Sequence, residues 1–235
     1  MTNKGFAKTS TQKPPKDKQV VRDYFNSVGF DRWRRIYGDG DVNRVQRDIR
    51  TGHQQTVDYV LSWFKNDKNA SEQTVCDAGC GTGSLSIPLA AMGAKVYASD
   101  ISEKMVGEGK SLATDPQNPI FAVKDLATLS GEYDTVICLD VLIHYPDRES
   151  EQMIEHLASL TKSRLITSFA PQNPYYILLK KIGDLVPGPS KATRAYLHKE
   201  SDVRRVLQKL GFTIKRKEFT ATSFYFSRLI EAVRN

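Results

Sequence analysis

The chain has 235 residues, of which 40% are hydrophobic and 26% are charged, a composition typical of one folded domain rather than a repeat array or a disordered polymer. No apolar run approaches the roughly 18 residues that a membrane-spanning helix needs, which excludes a spanning protein. The net charge of +7 is not spread evenly: five lysines and one aspartate give residues 1–18 a charge of +4, which leaves only +3 for the remainder and does not favour nucleic-acid binding.

Residues 1–18 contain Lys, Ser, Thr and Pro without an apolar stretch, so we predict a disordered tail there. The three cysteines, Cys76, Cys80 and Cys138, are too few for a disulfide framework, which favours a reducing, cytoplasmic compartment. Their spacing offers no companion ligand pair for zinc, so we expect no protein-bound metal.

Apolar residues recur at steps of three or four from Val21 to Phe64, which predicts a helical arm over residues 19–66. The GDGD turn at residues 38–41 separates the second helix from the third, with Asp41 as the expected N-cap.

From residue 67 to residue 235, short apolar runs alternate with helical patterns, which predicts one α/β domain. We expect a doubly wound, seven-stranded and mostly parallel sheet that ends in an antiparallel pair. A helical stretch after Pro171 and a PGPSK loop at residues 187–191 precede that pair.

The motif DAGCGTG at residues 77–83 lies where a strand should give way to a helix. Alternate glycines, Gly79, Gly81 and Gly83, let the backbone approach a ligand, and the following helix N-terminus offers N–H groups to an anion. The glycine spacing fits neither the dinucleotide fingerprint nor the nucleotide-triphosphate loop. Asp77 and this loop therefore indicate a site for a smaller anionic ligand.

Asp100 ends the next strand, 23 residues after Asp77, where a doubly wound sheet presents a carboxylate to ribose hydroxyls. Asp125 ends the following strand and is a candidate acceptor for an adenine amine. Four apolar residues complete the expected cofactor site: Ile101, Met105, Leu126 and Leu139. The alternative is that the glycines only allow tight packing and the two acids only cap helices.

DAGCGTG, ASDIS and KDL occur in the order and spacing of the S-adenosylmethionine (SAM) binding motifs, and they resemble those of class I methyltransferases, which have a Rossmann-like fold. The resemblance implies SAM as the cofactor. Arg50 and His53 are candidates for its methionine carboxylate, and a solvated helix face is the alternative for both.

His144 follows a strand's carboxyl end, where open α/β sheets bind ligands, so it is a candidate to hydrogen-bond the methyl acceptor. The alternative is a surface histidine at the start of a helix at Asp147. Tyr37 is a candidate to cover the same pocket, with a core aromatic as its alternative. The strand exit LDVLIHYP lacks the motif of amino-group methyltransferases that act on nucleic acids.

Four longer segments, FDRWRRIYGDGDVNRVQRDIRTGHQQTV, DAGCGTGSLSIPLAAMGAKVYASDISEKMV, CLDVLIHYP and LLKKIGDLVPGPSKATRAYLHKESD, resemble the magnesium protoporphyrin IX methyltransferases of chlorophyll biosynthesis. The resemblance implies methyl transfer from SAM to one propionate of magnesium protoporphyrin IX, with Tyr37 and His144 as acceptor-side residues and the magnesium belonging to the substrate. A porphyrin needs aromatic and cationic contacts, for which we expect Trp33, Arg34, Arg35, Arg194 and Tyr196, with Arg32 and His198 nearby.

Such a wide substrate suggests that the arm is a mobile lid. Expected partners are the substrate and the porphyrin-binding subunit of magnesium chelatase, with a peripheral position on photosynthetic membranes. The alternatives are another small-molecule O-methyltransferase, such as one for a quinone precursor, a non-catalytic scaffold that binds SAM and porphyrin, and, third, a nucleic-acid methyltransferase.

Overall fold

The computed structural model describes residues 16–67, 70–173, 176 and 195–235. Helix α1 begins at Lys16, so residues 16–18 are helical rather than part of the predicted disordered tail. The rest of that tail lies outside the described residues, as do most of the stretch after Pro171 and the whole loop at residues 187–191.

The arm consists of α1 (Lys16–Phe25), α2 (Val28–Tyr37) and α3 (Arg44–Asn66). The N-cap of α3 is Asn43, not Asp41: the Asn43 side chain accepts from the Gln46 backbone N–H at 2.9 Å, and the Gln46 side chain accepts from the Asn43 N–H at 3.3 Å. This reciprocal pair is a capping box, which requires a Gln or Glu three residues after the cap. Asp41 lies two residues too early for it.

The junction of α1 and α2 is attached to the residues that follow Asp100. The Ser102 hydroxyl donates to the Phe25 carbonyl at 3.1 Å or to the Asn26 side chain at 2.8 Å, and the Lys104 N–H donates to the same Asn26 oxygen at 3.3 Å. The arm is thereby held against the strand ends that form the site.

The described residues form a seven-stranded sheet of order β3-β2-β1-β4-β5-β7-β6. The strands β1 to β5 pair in parallel, and β7 pairs antiparallel with both β5 and β6. The doubly wound sheet and its antiparallel end agree with the prediction. The strand bounds are Thr74–Ala78, Lys95–Asp100, Ile120–Val123, Tyr133–Cys138, Thr161–Phe169, Phe212–Ala221 and Phe226–Arg234 for β1 to β7.

Helices cover both faces of the sheet, and apolar side chains fill a core on each face. Besides α3, the helices on the sheet are α4 (Ser86–Ala91), α5 (Glu103–Leu112), α6 (Asp147–Ser159) and α7 (Glu200–Lys209). None of the helices within the described ranges is long and apolar enough to span a bilayer.

Strand order reverses between β1 and β4, because the chain winds outward from β1 to β3 and then returns to the other side of β1. In open α/β sheets a crevice forms at this switch point, outside the carboxyl ends of the strands. The fold therefore brings the residues that follow β1, β2 and β4 to one cleft.

Candidate functional site

The floor of the cleft is the bend that follows β1. The N–H groups of Gly79 and Cys80 both donate to the Ser99 carbonyl, at 2.7 and 3.0 Å. Gly79 has φ +86°, and a Cβ there would lie 2.2 Å from Val141 Cγ2. Only glycine accommodates both the left-handed backbone and this close approach.

The Asp100 carboxylate holds the tip of the same bend. It accepts from the Gly81 N–H at 3.0 Å and from the Ser102 N–H at 2.8 Å. Burial raises the pKa of Asp100 from its ordinary value of 3.8, and these hydrogen bonds oppose the shift. Asp100 lines the cleft, so its remaining acceptor capacity is available to the two hydroxyls of a ribose.

The cleft has two connected parts that share Tyr37, Gly79, Gly81 and Leu139. The larger part, called the outer cavity, encloses about 570 Å³ and the smaller part, called the inner cavity, about 310 Å³, each including its open mouth. Predicted site residues on the outer wall, besides the shared ones, are Asp100, Ile101, Met105, Leu126 and His144. Predicted residues on the inner wall, besides the shared ones, are His53 and Asp77.

Asp77 is buried beneath the inner cavity, and its Oδ2 accepts from the Ser86 hydroxyl at 2.5 Å. Burial raises the pKa of this carboxyl to about 6, with the neighbouring Asp100 adding to the shift and Ser86 opposing it. A buried carboxylate with few hydrogen-bond donors or opposite charges around it is well suited to pair with a cationic group of a ligand.

His144 and Tyr37 both face the outer cavity. The His144 Nδ1 is buried and has no hydrogen-bond partner among the residues that the structure describes, and its ring packs edge-on against Phe25 with centroids 5.5 Å apart. Burial lowers the pKa of His144 to about 4. Burial, with the nearby carboxylates of Asp140 and Asp100, raises the pKa of Tyr37 well above its ordinary 10.0. Both side chains are therefore neutral near pH 7.

Arg50 is not directed into the cleft. Its guanidinium donates to the backbone carbonyls of Arg35, Ile36 and Gly40, at 2.7, 3.0 and 2.8 Å. The arginine fastens α3 to the end of α2, which corrects its predicted place beside a methionine carboxylate.

The cations of α2 also lie outside both cavities. Arg34 is exposed and pairs with Glu108 at 3.6 Å, and the Arg35 Nε donates to the Asp31 carbonyl at 3.1 Å. Trp33 shares the inner face of α2 with Tyr37, because four residues make about one helical turn, and their ring centroids are 5.4 Å apart. Trp33 therefore supports Tyr37 from behind and does not line either cavity.

Other predicted residues have local roles. Gly83 packs under Phe121 rather than against the cleft, and the Asp125 side chain accepts from the Ala127 N–H at 2.9 Å as a cap. The Tyr196 N–H donates to the Ile143 carbonyl at 2.8 Å, which puts Tyr196 next to His144.

His198 is buried, and its ring nitrogens bond to Asp147 and to the Leu142 carbonyl, so it is structural. Arg194 lies outside the described residues.

Several wall residues were not identified from the sequence. Asp140 and Val141 directly follow Leu139 at the exit of β4, and Ser84 directly follows DAGCGTG, so their positions in the chain were available signals. Phe25 and Val21 come from α1, and nothing in the sequence shows which face of that helix meets the cleft. The missed residues are Val21, Phe25, Cys80, Ser84, Leu85, Asp140, Val141 and Tyr145.

The arrangement fits a nucleoside with a charged amino-acid end. Asp100 with the apolar Ile101 and Met105 suits an adenosine, and the inner cavity offers the carboxylate of Asp77 and the polar atoms of His53 and Ser84. No group of three or more potential metal ligands occurs in the part of the chain that the structure describes.

Two family sequence models match the chain. One, described as a methyltransferase domain, matches residues 75–164, and the other, described as the magnesium-protoporphyrin IX methyltransferase C-terminus, matches residues 138–234.

Relatives match over nearly the whole chain. Magnesium-protoporphyrin O-methyltransferase of Synechocystis sp. PCC 6803 is 63% identical over 223 residues, which cover 93% of this chain and 97% of the relative. The chloroplastic magnesium protoporphyrin IX methyltransferase of Arabidopsis thaliana is 60% identical over 222 residues, covering 92% of this chain and 71% of the relative. The crystal structure of the Synechocystis PCC 6803 methyltransferase with bound S-adenosylhomocysteine (SAH) matches with a TM-score of 0.86 and 61% identity, over 93% of this chain and 100% of that chain.

We predict that Asp77→Asn changes how stability depends on pH. Because the native pKa of Asp77, about 6, exceeds its ordinary 3.8, the native state binds the proton more tightly than the unfolded state, and this residue lowers the unfolding free energy as pH rises from about 4 to 6. The variant should be more stable than the wild type by roughly 2–3 kcal/mol at pH 8, with the gain vanishing near pH 4.

Urea unfolding at several pH values measures this difference. Asp58→Asn, which alters an exposed carboxylate on α3, is the matched control and should leave the wild-type pH dependence in place. Parallel stability curves for the wild type and Asp77→Asn would contradict the prediction.

Proposed function

Because the chain belongs to the magnesium-protoporphyrin IX methyltransferase family, we propose that its cleft aligns SAM with a propionate arm of magnesium protoporphyrin IX through the residues described above. The protein transfers a methyl group from SAM to a propionate carboxylate of that porphyrin, giving the monomethyl ester and SAH in chlorophyll biosynthesis. The magnesium is part of the substrate.

The cofactor lies along both cavities in this proposal. Asp100 receives the ribose hydroxyls, and Ile101 and Met105 cover the adenine. The inner cavity takes the methionine end, where the Asp77 carboxylate faces the amino group and His53 and Ser84 supply polar contacts. SAM brings a methyl group already activated on a sulfonium, so the protein's task is alignment and exclusion of water.

The acceptor needs no general base, because a propionate is already ionised at neutral pH. One carboxylate oxygen must be held while the other points at the methyl group. The buried, unpartnered Nδ1 of His144 is the observation that carries this assignment, since such an atom costs free energy until a ligand satisfies it. Tyr37, protonated on the same cavity, donates its hydroxyl hydrogen to the acceptor side.

His144 and Tyr37 variants test the acceptor assignment. His144→Ala and Tyr37→Phe should each lower kcat/KM for the porphyrin by about 10-fold to 100-fold, because each removes a hydrogen bond to a charged group. His144→Asn should retain part of the activity, since its amide nitrogen can replace Nδ1. SAH affinity, measured by calorimetry, should remain unchanged in all three.

His156→Asn is the matched control, because the His156 Nε2 is also buried without a partner among the described residues but lies on α6 outside the cleft. The pH profile of the wild-type rate should show no inflection from His144 between about pH 6 and pH 8, because burial lowers the pKa of that residue to about 4. Full turnover by His144→Ala and Tyr37→Phe would remove the acceptor assignment.

The arm acts as a lid in this proposal, since α1 supplies Val21 and Phe25 to the outer wall and α2 supplies Tyr37. A wide disc can enter only when these helices move away. Binding of SAH should therefore slow amide hydrogen exchange across residues 20–50 by about tenfold or more. Exchange in α7, which contributes no residue to either cavity, is the internal control, and equal exchange across residues 20–50 in both states would contradict the lid.

The arm also provides the surface for substrate delivery. Val20 and Val28 are 48% and 72% exposed. We propose that these two side chains contact the porphyrin-binding subunit of magnesium chelatase. We propose that they also contact photosynthetic membranes peripherally, from the cytoplasmic side. Val20→Asn/Val28→Asn should weaken vesicle flotation and chelatase-subunit binding by about threefold or more, since both apolar contacts are lost. Val123→Asn, at a 50% exposed position on β3, is the control, and wild-type binding by the double variant would contradict the assignment.

A further inference from the structure

Asp140 has an unusual backbone conformation directly after β4. Its φ is +57°, and it is the one non-glycine residue with positive φ in the described ranges. Left-handed backbone costs a residue with a side chain about 1 kcal/mol or more, so surrounding contacts must hold it there. Its own N–H donates to the Ser168 hydroxyl at 2.8 Å, and that hydroxyl donates back to Asp140 Oδ1 at 3.0 Å.

The Asp140 carboxylate connects otherwise separate elements. Its Oδ2 accepts from His53 Nδ1 of α3 at 2.9 Å and from the Tyr225 hydroxyl of the turn between β6 and β7 at 2.8 Å. Burial favours the neutral acid, but the hydrogen bonds from His53, Tyr225 and Ser168 outweigh it and keep the pKa of Asp140 below its ordinary value. The group is therefore an anion that accepts from three sides.

This anion determines how His53 presents its other nitrogen. Because Nδ1 must carry a hydrogen to donate to a carboxylate, a neutral imidazole has a free lone pair on Nε2, which lies 3.0 Å from the Ser84 hydroxyl. The same ring packs on Tyr37 with centroids 4.6 Å apart. His53 lies on the wall of the inner cavity itself, contacts a second wall residue in Ser84, and supports Tyr37.

We propose that Asp140 is a positioning residue of the methyl transfer, which acts through His53 to hold Ser84 and Tyr37 in the geometry that the methionine end and the acceptor require. This inference rests on the proposed function, because it concerns the same cleft. Tyr225 reinforces the arrangement: it packs so closely on α3 that a Cβ at Gly52 would lie 2.3 Å from its ring.

Two variants of His53 separate its contact with Asp140 from its contact with Ser84. His53→Asn keeps a donor near the Nδ1 position for Asp140 and loses the contact to Ser84. His53→Gln keeps a polar group near the Nε2 position for Ser84 and loses the donor to Asp140. Because Asp140 acts through a continuous path, each should raise the SAH Kd and the KM for SAM about tenfold and lower kcat, while the KM for the porphyrin stays within about threefold.

Asp140→Asn should cause a loss of the same size, since it replaces a charged acceptor with a neutral amide. The SAH Kd of the double variant Asp140→Asn/His53→Gln should be at most about threefold higher than that of whichever single variant binds SAH less tightly. Losses that multiply would mean that Asp140 does not act through His53. Asp134→Asn, which removes a carboxylate bonded to Thr74 at the other end of β4, is the control and should leave SAH binding unchanged.

Tyr225→Phe provides an independent test if Asp140→Asn does not fold, because it removes one donor and keeps the ring. It should raise the SAH Kd about threefold. A lower melting temperature with wild-type SAH affinity, KM and kcat in Tyr225→Phe and both His53 variants would show a purely structural role and overturn the proposal. SAH binding needs no porphyrin, so a wild type that binds SAH but does not methylate would refute the proposed function and leave this test of Asp140 valid.

Discussion

The bend after Asp77 is the constraint on which the rest of the site depends. The chain turns there in left-handed backbone, fastened to the end of β2 by the bonds of Gly79 and Cys80 to the Ser99 carbonyl. Val141 packs against Gly79 in the space where any other residue would carry a Cβ. That contact brings the exit of β4 against the bend, and Gly79 lies on the wall of both cavities.

The elements of the sheet and its ligand-binding edge could be predicted from the sequence, because parallel strands end at a common edge and period changes mark strands and helices. Asp100 and His144 accordingly lie on the wall of the cleft. Arg50 bonds instead to the end of α2, which helical periodicity could not show, because it gives the face of a residue but not the carbonyls that another helix end presents to it. The place of Asp140 after Leu139 could be read from the sequence, but its positive φ and its hydrogen bonds could not, because they depend on Ser168 and Tyr225, which are distant in the chain.

Burial alone does not determine charge in this site. Asp140 is held as an anion by three donors, whereas Asp77 has one hydroxyl partner and a pKa near neutrality. The buried Nδ1 of His144 has no partner in the described part of the chain, and burial lowers the pKa of His144 to about 4, so the ring is neutral near pH 7. In the proposed function the methionine end lies beside the Asp77 carboxylate, and the acceptor lies beside the neutral side chains of His144 and Tyr37, in a cavity that Asp100 and Asp140 also line.

A crystal structure of this chain with bound SAH tests the central claim most directly. We expect the ribose hydroxyls to lie within hydrogen-bond distance of Asp100 and the amino-acid end to lie in the inner cavity beside Ser84. The sulfur should face the space between Tyr37 and His144. SAH bound elsewhere, or a cleft filled by the protein's own side chains in the presence of saturating SAH, would contradict it.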